Sequence, residues 1–340
     1  MVELLLLILV GVVMAPTLYV AGLHDVANSI ALPVRTRALT PKIAARLAAG
    51  FNTLGVLVAL PLGIHLYSWF EFPSMEPRLV LTVVLSSLAA LLTWNIFTYL
   101  KGMPTSTTHA LLAALLGGAL GAAAVGDLDT SGVLALPWMT PLLTLLVSPL
   151  VAFAIAYLLV FGAAKLASGE DPESVNRVGR AVQSVCVGLT SLGTGLQQGQ
   201  RFSFLLLLAL TAAGIEDADS WMPLAYVAFA LLIGAGCLTG GWRIGHVLAH
   251  RLVAVDPLRG AVAATTAAGL LHLGSLGLSL PLSTSLTAAS SIMGAGSNQR
   301  FATVNWRQFR RIGAYWAATP VVTGLLTVIL TLTISPLLLV

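Results

Sequence analysis

Residues 22–33 read GLHDVANSIALP, an apolar stretch interrupted by His24, Asp25 and Asn28. On a helix Asp25 and Asn28 lie three residues apart and His24 and Asn28 four, so all three share one face. A carboxylate beside an amide oxygen is a ligand set for a hard cation, and the same group can instead take up a proton. The structural alternative is that Asp25 caps a helix from about Val26, with Arg35 closing a nearby ion pair. A second group, Thr105-Ser106-Thr107-Thr108-His109, follows Gly102 and Pro104 and opens a run of small residues. Hydroxyls and unpaired backbone N–H groups at such a helix start suit an oxyanion, whose charge the helix dipole favours. His109 either donates to that anion, carries a proton or bonds a backbone carbonyl.

Weaker candidates extend the set. Ser29 adds a hydroxyl beside Asn28, and Ser283-Thr284-Ser285 repeat the hydroxyl cluster, with Leu286 at the position matching His109. GLQQGQRF at 195–202 supplies the amides Gln197 and Gln198 and the guanidinium of Arg201, which either binds an anion bidentately or marks an interfacial chain reversal. Asn95, after Trp94, lines a cavity or makes an interhelical bond. Cys186 and Cys237 lack metal or redox spacing and read as small buried hydrophobes. No Walker, HExxH or GxSxG pattern occurs, which argues against an enzyme, and nothing suggests nucleic acid or a bound cofactor.

These polar groups need elements that can carry them through an apolar medium. The chain has 340 residues, 57% hydrophobic and only 9% charged, with a mean hydropathy of +0.94. That composition belongs to an integral membrane protein, and the long apolar runs imply an all-α polytopic bundle in the lipid bilayer rather than a barrel. Ten spanning segments are expected at 1–34, 47–70, 79–100, 103–125, 136–162, 181–215, 222–240, 260–278, 280–299 and 309–338. The first and sixth exceed a simple span and carry polar, Gly-rich stretches at 22–29 and 190–201, where broken helices are expected. Basic clusters follow the first, seventh and ninth segments. Acidic clusters (Glu71/Glu76, Asp127/Asp129 and Glu216/Asp217/Asp219) follow the second, fourth and sixth. The positive-inside rule then makes the basic face cytoplasmic and both termini external, in a plasma (inner) membrane.

Five segments precede the charged loop 165–180 and five follow it, so a duplicated unit would be inverted. The sequence supports duplication: GMPTSTTHALLAALLGGALG from Gly102 parallels SLPLSTSLTAASSIMGAGS from Ser279, and Glu76-Pro77 parallels Asp256-Pro257. The expected organisation is a first repeat at 1–165, a cytoplasmic linker at 166–180 and a second repeat at 181–340. Inverted repeats with paired broken or re-entrant helices are a transporter architecture, which points to secondary transport of a small inorganic anion.

At these residues the chain resembles the inorganic phosphate transporter (PiT) family, whose members are sodium- or proton-coupled symporters. Their duplicated GANDVANx signature is matched by Gly22-Leu23-His24-Asp25-Val26-Ala27-Asn28-Ser29, and GLPVSTTHx by Gly102 to Ala110. Arg37 to Pro41 and Ser148-Pro149-Leu150 also follow the family pattern, so the resemblance spans nearly the whole chain. It implies phosphate and cation sites at the centre, with Asp25 and Asn28 holding sodium or accepting the proton and Thr105 to His109 holding phosphate. The second signature departs: Gln198 stands at the family's Asp, Arg201 at its second Asn, and Leu286 at its His. Losing one carboxylate weakens a shared cation site and gaining Arg201 raises the potential for an anion. A sulfate or related oxyanion transporter, and a transport-inactive membrane partner subunit, are the alternative readings; a homodimer is left open.

Overall fold

The computed structural model describes residues 1–62, 72–125, 133, 139–278, 282–299 and 304–338. Glu71, Asp127, Asp129, Trp138, Ser279 to Pro281 and Arg300 lie outside the described residues. The described elements are helices α1 (Val2–Arg35), α2 (Pro41–Ala59), α3 (Pro77–Lys101), α4 (Thr107–Val125), α5 (Met139–Leu166), α6 (Pro172–Ala212), α7 (Met222–Leu238), α8 (Trp242–His250), α9 (Pro257–His272), α10 (Thr284–Ser297) and α11 (Trp306–Leu338). A 3₁₀ turn, Ala218–Trp221, leads into α7, and a π turn, Leu273–Gly277, ends α9. Among the described residues, α1 to α5, α7 with its lead-in, and α11 are long and apolar enough to cross a membrane. The protein is an all-α, multi-pass membrane protein. At 41 residues α6 is long but too polar for that class, and α9 and α10, with 16 and 14 residues, are too short.

Several starts follow one local rule. Thr40, Asp171 and Asp256 each precede a proline, and each side chain accepts the backbone N–H three residues on, at 3.4, 3.1 and 2.9 Å. The proline lacks a donor that the first helical turn could not have used. The caps move two boundaries. α2 begins at Pro41, not 47, and α6 at Pro172, so most of the stretch read as a linker is helix.

The expected breaks in the first and sixth segments are absent: α1 and α6 run unbroken through 22–29 and 190–201. Their glycines serve close packing instead. A Cβ on Gly22 would overlap the carbonyl of Ile233 in α7, and one on Gly195 would overlap the carbonyl of Asn52 in α2. The non-helical backbone sits elsewhere, at 103–106 before α4 and 282–283 before α10, and it is buried. Replacing Gly195 by alanine should therefore push α2 and α6 apart and cost about 1–3 kcal/mol, typical of overpacking. A lowered thermal unfolding midpoint in detergent is expected, and an unchanged one would show the contact to be loose.

Packing links early and late helices. α4 lies along α11 and α10 along α5; α2 lies along α6 and α1 along α7; α3 packs on α1 and α9 on α6. The short α8 was not foreseen, being far below spanning length. It turns Ile244, Val247 and Leu248 inward and leaves Trp242 and Arg243 exposed. Arg35 donates to the carbonyl of Ala249 and contacts Nδ1 of His250 at 2.9 Å. Burial, together with Arg35 and His246, holds the His250 imidazole below its ordinary pKa, consistent with a neutral Nδ1 that accepts from the guanidinium.

Candidate functional site

Four elements meet around Asp25: α1, α6 and the starts of α4 and α10. The carboxylate is 4% exposed, and its best partner is Nε2 of Gln198 on α6, which donates to Oδ2 at 2.9 Å. Thr107 donates to Oδ1 at 3.4 Å and His24 Nδ1 lies 3.4 Å from the same oxygen, both long for hydrogen bonds. A carboxylate offers about four acceptor sites. One sound bond and two weak ones leave Asp25 under-satisfied where an unpaired charge costs at least about 2.5–3.5 kcal/mol.

The neighbouring amides have the same bias. Asn28 uses its Nδ2 to donate to Ser285 of α10 at 2.9 Å, and its buried Oδ1 has no hydrogen-bond partner among the described residues. Gln198 spends its Nε2 on Asp25, and its buried Oε1 likewise has none. In each amide the nitrogen is engaged and the oxygen is left over, so acceptor oxygens gather beside the carboxylate at this end. No group of three His, Cys, Asp or Glu side chains that could hold a metal occurs among the described residues. One carboxylate with neutral oxygens is a set for a weakly bound hard monovalent cation rather than a tightly held transition metal.

One turn further along α6 the sign reverses. Arg201 is 3% exposed, and its Nη2 donates to Thr108 at 2.8 Å. It lies mid-helix and buried, so neither snorkelling nor a chain reversal describes it. Thr108 is in the first turn of α4, where the helix dipole adds positive potential. Ser106 accepts the His109 N–H at 3.2 Å and Ser283 accepts the Leu286 N–H at 3.3 Å, so both act as helix caps. The negative group, Asp25 with Gln198, and the positive group, Arg201 with Thr108, are thus one turn apart along α6, because Gln198 and Arg201 are three residues apart.

The Asp25-as-cap reading is overturned, because α1 continues through Val26 and Arg35 is engaged by α8. His24 joins the network through Nε2, which lies 3.3 Å from the hydroxyls of both Thr98 and Thr105, and Thr105 donates to Thr98 at 3.1 Å. Thr98 was missed by sequence reasoning; its one signal is its place a turn beyond Asn95 on α3. Asn95 and Gln197 are buried with amide atoms that have no partner, and the Ser29 hydroxyl also has none. Among the described residues these three are not tied to the network by hydrogen bonds, and no bond joins the side chains of Thr284 or His109 to it.

The profile of the phosphate transporter family matches residues 21–327, from the turn before Asp25 to well inside α11. The chain belongs to this family. Similar relatives include a probable low-affinity inorganic phosphate transporter of Rhizobium meliloti (strain 1021), 31% identical over 306 residues and 88% of both chains. A protein of the same description from Bacillus subtilis (strain 168) is 30% identical over 304 residues, 88% of this chain and 89% of the relative. Among solved structures, one titled the sodium-dependent phosphate transporter shares the fold with a TM-score of 0.73, at 18% identity, covering 97% of this chain and 99% of that one. Membership of the phosphate transporter family places the chain among transporters rather than enzymes.

Proposed function

We propose that the protein is a secondary active symporter that moves inorganic phosphate with sodium across the plasma membrane. The observation that carries this reading is the bipolar buried site, with Asp25 and two surplus amide oxygens at one end and Arg201 with the hydroxyl-led start of α4 at the other. Sodium is preferred to a proton because a proton needs only Asp25, whereas the surplus oxygens of Asn28 and Gln198 are ligands for a metal ion. Phosphate is preferred to sulfate because, at neutral pH, it carries its own proton and so can also use a buried acceptor. The described similarity to a solved sodium-dependent phosphate transporter agrees with both choices.

The architecture we propose is two inverted five-helix repeats, 1–165 and 181–340, joined on the cytoplasmic side with both termini outside. The exchange of partners between halves supports it: α4 packs on α11 as α10 packs on α5. The site contacts are also paired, since Arg201 bonds Thr108 in the way that Asn28 bonds Ser285. Gly117 against Gly324, and Gly294 against Phe153, repeat one close helix contact in the two units. In this arrangement Asp25 and Gln198 face each other across the pseudo-twofold axis, and alternating access is a rocking of the packed helices around them.

The test is labelled phosphate counterflow in proteoliposomes with sodium and pH gradients imposed separately. Uptake is expected to follow the sodium gradient and to resist excess sulfate. Uptake driven equally by a pH gradient alone would replace sodium with the proton, equal competition by sulfate would replace phosphate with a broader oxyanion class, and silence from folded protein would favour a transport-inactive subunit.

A further inference from the structure

The basic surface around α8 forms a cavity of about 430 Å³ between that helix and the end of α3, lined by Leu100, Lys101, Trp242, Arg243, His246 and Arg251 among others. Three of the six are permanent cations, and among the described residues none lining the cavity is acidic. Arg243 is fixed over it: its Nη1 donates to the carbonyl of Leu100 at 3.2 Å, and its guanidinium sits 6.0 Å from the centre of the Tyr99 ring. Lys101 lies 5.7 Å from the Phe97 ring centre. The other wall is apolar and exposed, with Leu100 at 53% and Trp242 at 39%. A short amphipathic helix with an exposed Trp and a row of cations is a membrane-interface element.

We propose that this cavity binds the phosphate headgroup of an anionic phospholipid, with the acyl chains lying against Leu100 and Trp242. A free anion would use the cations and leave the apolar wall bare, whereas a lipid uses both. Anionic lipids are preferred over zwitterionic ones because the cavity has no acidic group to meet a choline or ethanolamine. The ligand would also bear on the site already described. Gly102 has φ +67°, and a Cβ there would lie 2.9 Å from the Arg243 carbonyl, so α8 rests directly on the turn leading to Pro104 and Thr105. At its other end α8 holds Arg35 of α1. A headgroup bridging Lys101 to Arg243 and Arg251 clamps α8 between the two elements that carry Asp25 and Thr105.

The experiment is native mass spectrometry of the full chain released from nanodiscs of phosphatidylcholine with a minority of phosphatidylglycerol. The wild type is expected to retain phosphatidylglycerol selectively, and K101Q/R251Q to retain it about 30-fold more weakly, the effect of two surface cations. The charge-keeping K101R/R251K should behave as wild type and serves as the comparison if the neutral variant does not fold. Equal retention by the neutral variant, loss of retention in K101R/R251K, or displacement of the lipid by millimolar inorganic phosphate would overturn the proposal. The readout is lipid binding, so a failure of phosphate transport in proteoliposomes would leave it standing, and the two readings fail separately.

Discussion

Asp25→Asn should abolish sodium-driven phosphate uptake while leaving the protein folded. The amide is isosteric and its oxygen can still accept from Gln198, so the one sound bond at this position survives. What is lost is the charge. Breaking a buried pair by removing one partner costs about 3–5 kcal/mol, a factor on the order of 100 or more in sodium affinity. The unfolding midpoint should hold or rise, because an under-satisfied carboxylate has been taken out of the interior. Phosphate binding supplies a second readout. With an effective dielectric constant near 20, two like charges about 5 Å apart repel by about 3 kcal/mol. Under the proposed coupling, sodium on Asp25 would cancel that repulsion in the wild type, so each ion should tighten the other, as linkage requires. In the variant phosphate binding should be indifferent to sodium. If it still strengthened with sodium, Asp25 would not be the coupling group.

The cost of a polar face at Asp25 was legible in the sequence, but how that cost is met was not. The patterns at Gly22 and Gly195 read as helix breaks because glycine in a helix usually weakens it. The structure uses both as places where one helix backbone touches the next, a role visible only once α7 and α2 are known to be the neighbours. Polarity in α6 misled in the same way, since Gln198 and Arg201 have partners on α1 and α4, distant in sequence. The hydroxyl starts of α4 and α10 were legible because capping is local: Ser106 and Ser283 bond N–H groups three residues on. Thr98 stayed hidden since a threonine late in an apolar helix ordinarily bonds its own backbone, which this one also does at 2.9 Å to Trp94. α8 was overlooked because charge and Gly-rich flanks resemble a loop when only spanning lengths are sought.

Arg201→Ala tests the opposite end of the site and should separate the two ions by sign. Truncating a buried, hydrogen-bonded charge that meets an anion costs about 2–5 kcal/mol, so phosphate affinity should fall by on the order of 30-fold or more. Sodium affinity should rise. In the wild-type site Asp25 and Arg201 sum to zero, and a sodium ion with a monovalent phosphate also sums to zero; either ion alone leaves one net charge in a low-dielectric interior. Removing Arg201 makes the empty site negative, which favours the cation without the anion. A general loosening of the helices would weaken both ions together, so parallel losses would mean that Arg201 only supports packing. Lysine should recover part of the phosphate affinity, since a point charge attracts the anion without offering two donors in a fixed plane. The same arithmetic bears on the altered second signature. Gln198 in place of the resembled family's Asp and Arg201 in place of its Asn each add one unit of positive charge, so this site should need fewer sodium ions to accept a phosphate than one built on two intact signatures. A sodium-to-phosphate ratio measured by dual-label flux, rising in Gln198→Asp, is the expected sign of that difference.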